Sequence, residues 1–277
     1  MDIILDFDGT ITTHDTIHTL ANYAISKNGG STEWDDIVKA YTLDHEEFHA
    51  QYSPGAADRT TAEEELTFLN CLRGVEQASL GRVQNSGLFR AISPDDLSRF
   101  GESAVKTGTV RIRPGFRELR ARLSGHLAVV SVNWSADFIR GCCGSDGDGL
   151  EVFANAIEFP SGQLVCPVPG GEGVLLTARD KFVTLQTVAR RWGRKPEELV
   201  YVGDSTTDLE CLLACKGIVM AEDVTKGLVE TLRRLGFEVR HVADCKPDFR
   251  IAWARDFKEI LDSGILGSTV TSEAEKS

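Results

Sequence analysis

Short runs of apolar residues, each followed directly by polar ones, are the clearest pattern along the chain. Three such runs cover Ile3–Phe7, Leu127–Val132 and Leu199–Val202. Strands that are buried on both faces of a parallel sheet read as continuous apolar runs of this length. We therefore predict three buried strands whose carboxyl ends share one edge of a sheet, which is where open α/β sheets bind ligands.

Segments with apolar residues at helical spacing lie between and after these runs. Helices are predicted over residues 116–123, 181–192 and 208–215. Alternation of strands and helices is typical of a parallel sheet with right-handed crossovers. The predicted fold class is therefore α/β, with a doubly wound, Rossmann-like parallel sheet.

The chain between the first two strands breaks this alternation, since it holds helix-like segments and no convincing strand. These segments cover residues 17–26, 32–41, 62–78 and 94–105. We predict a helical cap domain over residues 13–107, inserted after the first strand and able to cover the strand ends. Residues 1–12 and 108–268 then form the core domain, and the small and polar residues 269–277 are predicted to be a disordered tail.

A second kind of strand pattern lies within the predicted core. Residues 152–159 and 163–168 read as two strands, and Pro160-Ser161-Gly162 between them reads as a tight turn. The segment is too short to form another domain.

Charge and cysteine content narrow the class of partner. Thirty Lys and Arg stand against 42 Asp and Glu, a net charge of -12 with no long basic run, which disfavours nucleic acid and membranes as partners. The seven cysteines are odd in number and form no CxxC pair, so free thiols in a reducing compartment are expected. Neither a signal-peptide pattern nor an apolar run of about 18 residues is present, so a cytoplasmic location is expected.

Two carboxylates follow the first predicted strand, in Asp6-Phe7-Asp8-Gly9-Thr10. One of these carboxylates can attack an electrophile and bind a cation, while the other can act as general acid and then as general base. Gly9 allows the chain to bend and exposes backbone N–H groups to an anion, and Thr10 adds a hydroxyl donor. The alternative interpretation is a strand followed by an ordinary Asp-Gly turn.

A second pair of carboxylates follows the third predicted strand. Asp204 comes at the strand end and Asp208 lies four residues later, so both can share one face of a helix. Their hard oxygen ligands suit Mg²⁺. Thr207–Glu210 also fits a helix capping box, so part of this cluster could serve only to begin a helix.

Ser131 and Lys181 could complete a phosphate site. Ser131, at the end of the second predicted strand, can offer a hydroxyl and a backbone N–H to a phosphoryl oxygen, although a lone Ser there carries little information. Lys181 opens a predicted helix, where a cation is unfavourable, and an anionic neighbour such as Asp6 or a phosphate would explain its position. A solvated surface lysine is the alternative.

These four pieces, in this order and at these strand ends, resemble the motifs of the haloacid dehalogenase (HAD) superfamily. The DxDGT motif corresponds to Asp6–Thr10, the Ser/Thr motif to Ser131, the Lys motif to Lys181 and the GDxxxD-like motif to Gly203–Asp208. The resemblance covers the predicted core, whereas the helical insertion carries only a weak family signal.

This resemblance implies a role for each motif residue. Asp6 would be the nucleophile and Asp8 the general acid and base. Mg²⁺ would be held by Asp6, the backbone carbonyl of Asp8 and Asp204, with Asp208 supporting the metal-bound waters. The phosphoryl group would be bound by a set of five residues: Thr10, Ser131, Val132, Asn133 and Lys181.

Departures within the motifs distinguish among branches of the superfamily. Asp8 indicates a phosphatase or phosphomutase, because relatives that dehalogenate lack this acid. The helical insertion is similar to the C1-type cap of the phosphoserine phosphatase branch. That branch commonly has Ser-Gly-Gly at the second motif, whereas here Ser131 is followed by Val132-Asn133-Trp134, so phosphoserine is not expected as substrate. The combination resembles uncharacterised fungal HAD-like hydrolases.

The implied function is magnesium-dependent hydrolysis of a small organic phosphate monoester through an aspartyl-phosphate, with a small phosphorylated metabolite as partner. Two alternatives stay open: a phosphotransferase or mutase using the same site, and a protein that binds a phospho-ligand without turnover. Whether the chain is a monomer or a homodimer is also open. Asp15 and His18 lie near enough to the first motif to meet substrate, while Trp34 is interpreted as a packing residue.

Overall fold

A parallel β-sheet forms the centre of the computed structural model, which describes residues 1–28, 33–144, 150–166 and 173–267. The strands are β1 (Asp2–Leu5), β2 (Leu127–Ser131), β3 (Glu151–Ala154), β4 (Ala156–Ile157), β5 (Leu164–Val165), β6 (Leu199–Gly203), β7 (Lys216–Met220), β8 (Arg240–His241) and β9 (Ile251–Ala254). Seven of them form one sheet in the order β3-β2-β1-β6-β7-β9-β8, with every neighbouring pair parallel. This topology confirms the predicted fold class.

Strand β1 lies in the interior of the sheet and is hydrogen-bonded to a neighbouring strand on each side. Ile4 lies opposite Ala128 of β2 and opposite Tyr201 of β6. All four residues of β1 are buried, as expected for a strand that helices cover on both faces. The carboxyl ends of β1, β2 and β6 are therefore neighbours at one edge of the sheet.

Eleven α-helices surround the sheet in the described part of the chain. They are α1 (Ile17–Asn28), α2 (Glu33–Gln51), α3 (Ala62–Cys71), α4 (Arg73–Ser86), α5 (Pro94–Lys106), α6 (Phe116–Arg122), α7 (Ala136–Cys143), α8 (Ala178–Arg191), α9 (Leu209–Ala214), α10 (Gly227–Arg234) and α11 (Phe257–Asp262). None of them has the length and apolar character needed to cross a bilayer.

The alternation of side chains along β1 divides the core into two layers. Ile3 and Leu5 pack with apolar residues of α6, α7 and α11, whereas Ile4 packs with those of α8, α9 and α10. Successive strand residues point to opposite faces, so a single strand contributes to both layers.

The helices α1 to α5, between β1 and β2, are referred to here as the cap region. The predicted helix over 62–78 is in fact two helices that meet at Leu72, two residues before Gly74, whose low helix propensity favours a break. Helix α5 packs tightly on α7, since a Cβ at Gly101 would overlap the carbonyl oxygen of Phe138. The division into cap and core domains stays a prediction.

The predicted strand over 152–159 was wrong in one respect. Its first half is β3, which joins the main sheet beside β2, and only its second half, β4, pairs antiparallel with β5 after the turn. The buried Asn155 lies between the two strands, and its side chain donates a hydrogen bond to the carbonyl oxygen of Leu175. Val168 and the predicted tail 269–277 lie outside the described residues.

Candidate active site at the strand ends

The ends of three adjacent strands bring together side chains that are far apart in sequence. Asp6 follows β1, Ser131 ends β2 and Asp204 follows β6, while Lys181 approaches from the first turn of α8. We call Asp6, Asp8, Lys181, Asp204 and Asp208 the strand-end site. Asp6 is only 3% exposed, so its interactions are made almost without water.

Lys181 forms two ion pairs inside the protein. Its Nζ lies 2.9 Å from Oδ2 of Asp6 and 2.7 Å from Oδ1 of Asp208, and its side chain is fully buried. Burial alone would lower the pKa of Lys181, but the charges of Asp208 and Asp6 outweigh it and raise the pKa above its ordinary value. The alternative of a solvated surface lysine is therefore wrong.

The second oxygen of Asp6 has no hydrogen-bond partner among the described residues. This Oδ1 atom is buried, and a buried unpaired carboxylate oxygen is costly. Burial, followed by the charge of Asp208, raises the pKa of Asp6 well above its ordinary value. Burial, again followed by the charge of Asp208, raises the pKa of Asp204 to about 7. Such a group of carboxylates favours a neighbouring cation.

A divalent cation fits the oxygen atoms that remain available. Asp6, Asp204 and Asp208 each offer a carboxylate oxygen, and the three atoms lie within 4.8 Å of one another. Asp208 is the least available of the three, because Oδ1 accepts from Lys181 and Tyr201, and Oδ2 accepts from two backbone N–H groups. Asp6 and Asp204 are therefore better placed to be direct ligands, and their hard oxygen atoms suit Mg²⁺.

Gly9 allows the first motif to approach Asp204 closely. Its φ of 69° is left-handed, and a Cβ there would overlap the Asp204 carboxylate. The hydroxyl of Thr10 is buried and donates to Oδ1 of Asp204 over 3.0 Å. Thr10 therefore contacts a carboxylate in this structure, and its role in binding phosphate stays a prediction.

Arg113 stabilises the same turn from the opposite side. Its guanidinium donates to the carbonyl oxygens of Gly9, at 2.7 Å, and Thr10, at 3.2 Å, and to that of Arg255 at 2.8 Å. The guanidinium thus binds two carbonyl groups of the turn and one outside it, and these hydrogen bonds fix the path of the turn.

Asp8 is oriented by two side chains from different parts of the chain. Its Oδ1 accepts from the backbone N–H of Thr16 at 2.8 Å and from the Thr16 hydroxyl at 2.6 Å. Its Oδ2 accepts from Nδ2 of Asn133 at 2.7 Å. Burial, and then the charge of Asp15, raises the pKa of Asp8 to about 6. Asp8 is thus held in one direction and can exist with or without its proton near neutral pH.

Sequence reasoning did not identify Thr16, and it gave Asn133 a different role. Thr16 directly precedes α1, where a Thr commonly caps a helix, and no sequence signal pairs it with Asp8. Asn133 was predicted to bind phosphate, but its side chain also reaches the hydroxyl of Thr16 at 3.1 Å. In this structure the Asn133 amide therefore orients the predicted acid, and phosphate binding by this residue is untested.

The turn after β2 is fastened by buried hydrogen bonds. The Ser131 hydroxyl accepts from the backbone N–H of Asn133 at 3.2 Å. The side chain of Asn155 donates to the carbonyl oxygens of Val132, at 3.1 Å, and Leu175, at 3.0 Å. These bonds position Ser131 and Val132 at the edge of the site, where the sequence placed them.

Comparisons with known proteins support the resemblance predicted from the motifs. The family model described as haloacid dehalogenase-like hydrolase matches residues 3–213. A CTO1 family protein of Schizosaccharomyces pombe is 30% identical over 76% of this chain and 77% of its own length. The mitochondrial Bifunctional TH2 protein of Arabidopsis thaliana is 28% identical over 84% of this chain, which spans only 40% of that longer protein.

A solved structure of similar fold confirms the architecture. A substrate-bound phosphoserine phosphatase complex covers 94% of this chain and 96% of its own, with a TM-score of 0.50 and 21% sequence identity. At this level of identity the likeness concerns the fold and not the substrate. The predicted resemblance to the phosphoserine phosphatase branch is therefore confirmed at the level of architecture.

Proposed function

The chain belongs to the haloacid dehalogenase-like hydrolase family, and we propose that it is a magnesium-dependent phosphatase acting through an aspartyl-phosphate on Asp6. Its substrate is a small organic phosphate monoester, which makes a small phosphorylated metabolite its partner. The observation that carries this proposal is the state of Asp6: buried, paired through Oδ2 with Lys181, and unpaired at Oδ1.

Asp6 is suited to be the nucleophile because its surroundings hold it rigidly at the strand end. Its carboxylate oxygen forms a bond to phosphorus while the bond from phosphorus to the alcohol oxygen breaks. The ammonium of Lys181, 2.9 Å from Asp6, offsets negative charge on the phosphoryl oxygens as they approach. Ser131 and the backbone beside Val132 border the place where those oxygens would lie.

Asp8 is suited to move the proton in both halves of the reaction. In its protonated form it gives a proton to the departing alcohol oxygen. It then takes a proton from the water molecule that attacks phosphorus, which releases inorganic phosphate and restores Asp6. Thr16 and Asn133 keep the carboxyl group aimed in one direction throughout.

The residues that would hold Mg²⁺ are Asp6, Asp204 and the backbone carbonyl of Asp8, with Asp208 behind them. A bound magnesium ion supplies positive charge that stabilises the phosphoryl oxygens in the transition state. The unpaired Oδ1 of Asp6 and the close approach of Gly9 to Asp204 support this assignment.

The test is hydrolysis of p-nitrophenyl phosphate by purified protein with Mg²⁺. We expect activity that EDTA removes and added Mg²⁺ restores. Asp6→Asn, which changes one oxygen to an amide, should lower kcat at least about 10³-fold. The exposed Asp36 on α2 offers a matched control, and Asp36→Asn should keep full activity.

Asp8→Asn distinguishes a covalent mechanism from direct attack by water. Nitrophenolate leaves readily without an acid, so the first half-reaction should survive while the second slows. Rapid-quench kinetics should then show a burst of nitrophenolate equal to the enzyme concentration. Full activity of Asp6→Asn, or no burst with active Asp8→Asn, would refute the aspartyl-phosphate.

The phosphotransferase and mutase alternatives use the same residues. Adding an alcohol acceptor to the phosphorylated protein separates them from hydrolysis, because transfer produces a new ester in place of inorganic phosphate. We expect inorganic phosphate to be the main product.

A further inference from the structure

A cavity of about 410 Å³ lies between the cap region and the strand-end loops. Helices α1, α2 and α4 form its walls, and the turn after β2 and residues just before α8 form its floor. We call it the cap cavity. Its volume is in the range of sites that bind small molecules.

The floor of the cap cavity is continuous in sequence with the strand-end site. Val132 lies between Ser131 and Asn133, and Thr207 directly precedes Asp208. Asp15 precedes Thr16, and its charge acts on Asp8. A phosphate ester bound with phosphorus at Asp6 would therefore extend its alcohol part into the cap cavity.

The charged residues of the cavity wall are acidic. Asp15 and Glu76 line it, and no Lys or Arg is found among its lining residues in the described part of the chain. The Tyr41 hydroxyl donates to Oε1 of Glu76 at 3.0 Å. Burial, and then the charges of Glu76 and Asp15, raises the pKa of Tyr41, which places both carboxylates in its electrostatic surroundings.

The histidine of the cavity is hydrogen-bonded to one of its aromatic side chains. Nδ1 of His18 accepts a hydrogen bond from Nε1 of Trp34 at 3.1 Å.

Aromatic rings line the cavity together with aliphatic side chains such as Ile37 and Leu80. Trp34 and Trp134 meet edge to face, with ring centroids 6.0 Å apart and an interplanar angle of 90°, and Tyr41 lies on the same cavity. Trp34 thus packs as the sequence suggested, but it also lines the cavity. Aromatic faces next to carboxylates are the surroundings in which proteins bind organic cations.

The same surroundings disfavour a second anionic group. A carboxylate or second phosphate on the alcohol part would meet Asp15 and Glu76, with no Lys or Arg to pair with it among the described residues that line the cavity. The amino-acid part of phosphoserine carries such a carboxylate, so this substrate suits the cavity poorly.

From these contacts we infer that the phosphatase substrate carries an organic cation, a quaternary ammonium or a cationic aromatic ring, on its alcohol part. Trp34, Trp134 and Tyr41 surround the cation, and Asp15 and Glu76 balance its charge. This inference rests on the proposed function and extends it to the class of alcohol.

Matched substrate pairs isolate the charge from size and shape. Phosphocholine and 3,3-dimethylbutyl phosphate differ only in a nitrogen cation replaced by carbon. N-(2-hydroxyethyl)pyridinium phosphate and 2-phenylethyl phosphate form the corresponding aromatic pair. With Mg²⁺ present, kcat/KM should favour the cation of at least one pair by about tenfold or more, and phosphoserine should be a poorer substrate than that cation.

Glu76→Gln tests whether the cavity causes the preference. The variant keeps an oxygen that can accept from Tyr41 and removes only the charge, so the preference for the cation should fall several-fold, to within about threefold of unity. The control Glu46→Gln removes the same charge from an exposed position on α2 outside the cavity and should keep the wild-type preference.

Calorimetric binding of the same four esters to Asp6→Asn provides a readout without turnover. Equal or better use and binding of the neutral partner in both pairs would overturn the inference, while phosphatase activity on all four esters would leave the proposed function standing. Tighter binding of the cation without any turnover would instead refute the phosphatase and support the cavity's selectivity.

Discussion

The strand-end site and the cap cavity lie side by side but are built differently. In the strand-end site, Lys181 and Asp208 are fully buried, and Asp8 accepts from three fixed donors. In the cap cavity, Asp15 is exposed, and Glu76 accepts a hydrogen bond from the Tyr41 hydroxyl at 3.0 Å. Polar contacts therefore fix the side chains of the strand-end site, whereas side chains of the cap cavity face open space.

In the proposed function, this difference separates the reaction from the choice of substrate. Groups that move charge must be held in place before the substrate arrives, because reorganising them would add to the barrier. Groups that select an alcohol only need to contact it, so they can be replaced without disturbing the buried network. We therefore expect large effects from changes in the strand-end site and smaller, substrate-dependent effects from changes in the cap cavity.

The largest effect is expected from Lys181→Met in the strand-end site. This variant leaves Asp6 and Asp208 buried without their common cation, so it should lower the free energy of unfolding by about 3–5 kcal/mol and abolish turnover. Urea unfolding measures the first effect and p-nitrophenyl phosphate hydrolysis the second. Lys39→Met, at an exposed position of α2, is the control, and an active, fully stable Lys181→Met protein would contradict the central role of this ion pair.

Asn133→Ala tests orientation without removing a reacting group. Asp8 loses the donor at 2.7 Å, and kcat should fall by about 10–100-fold on an alkyl phosphate. The loss should be smaller on p-nitrophenyl phosphate, whose leaving group needs less help from an acid. Equal losses on both esters, or a matching loss of stability, would assign Asn133 a structural role instead.

Packing between the cap region and the core extends the comparison to apolar contacts. Gly101→Ala places a Cβ against the backbone of α7, so it should destabilise the protein by about 1–3 kcal/mol. Gly81→Ala on α4, where a Cβ meets nothing within 4 Å, should instead stabilise the protein by about 0.5–1 kcal/mol. Thermal unfolding measures the Tm of both variants. A Gly101→Ala protein with a Tm at or above that of the wild type would show that α5 and α7 can move apart.

The smallest effect is a pH-dependent gain in stability from Glu76→Gln. Burial raises the pKa of Glu76 above its ordinary 4.5, so the folded chain binds this proton more tightly than the unfolded chain does. Stability is therefore lost as the pH rises from about 4.5 through the folded pKa, and the variant should lack this loss. Its Tm should exceed that of the wild type at pH 7.5 and match it at pH 3.5, and a lower Tm at pH 7.5 would contradict the assignment.

Local patterns in the sequence were enough to predict the strands β1, β2 and β6 and the acidic motifs, but not the strands β7, β8 and β9. Strands β1, β2 and β6 are continuous apolar runs because helices bury both of their faces. Asp6, Ser131 and Asp204 come at the ends of these runs, and parallel strands bring such ends to one edge of a sheet. The predicted convergence of Asp6, Ser131 and Asp204 therefore needed no knowledge of long-range contacts, whereas the place of Lys181 followed from the resemblance to the HAD motifs.

Sequence by itself thus determined the α/β architecture and which carboxylates meet at the strand ends, because both depend on short periodic patterns and on residue type. Only the tertiary structure decided how those side chains are held and what faces them. Asn133 meets Asp8 across 125 positions of sequence, and α4 brings Glu76 to the same cavity as Trp134. Such contacts depend on how helices and loops pack in three dimensions, and no local pattern encodes that packing.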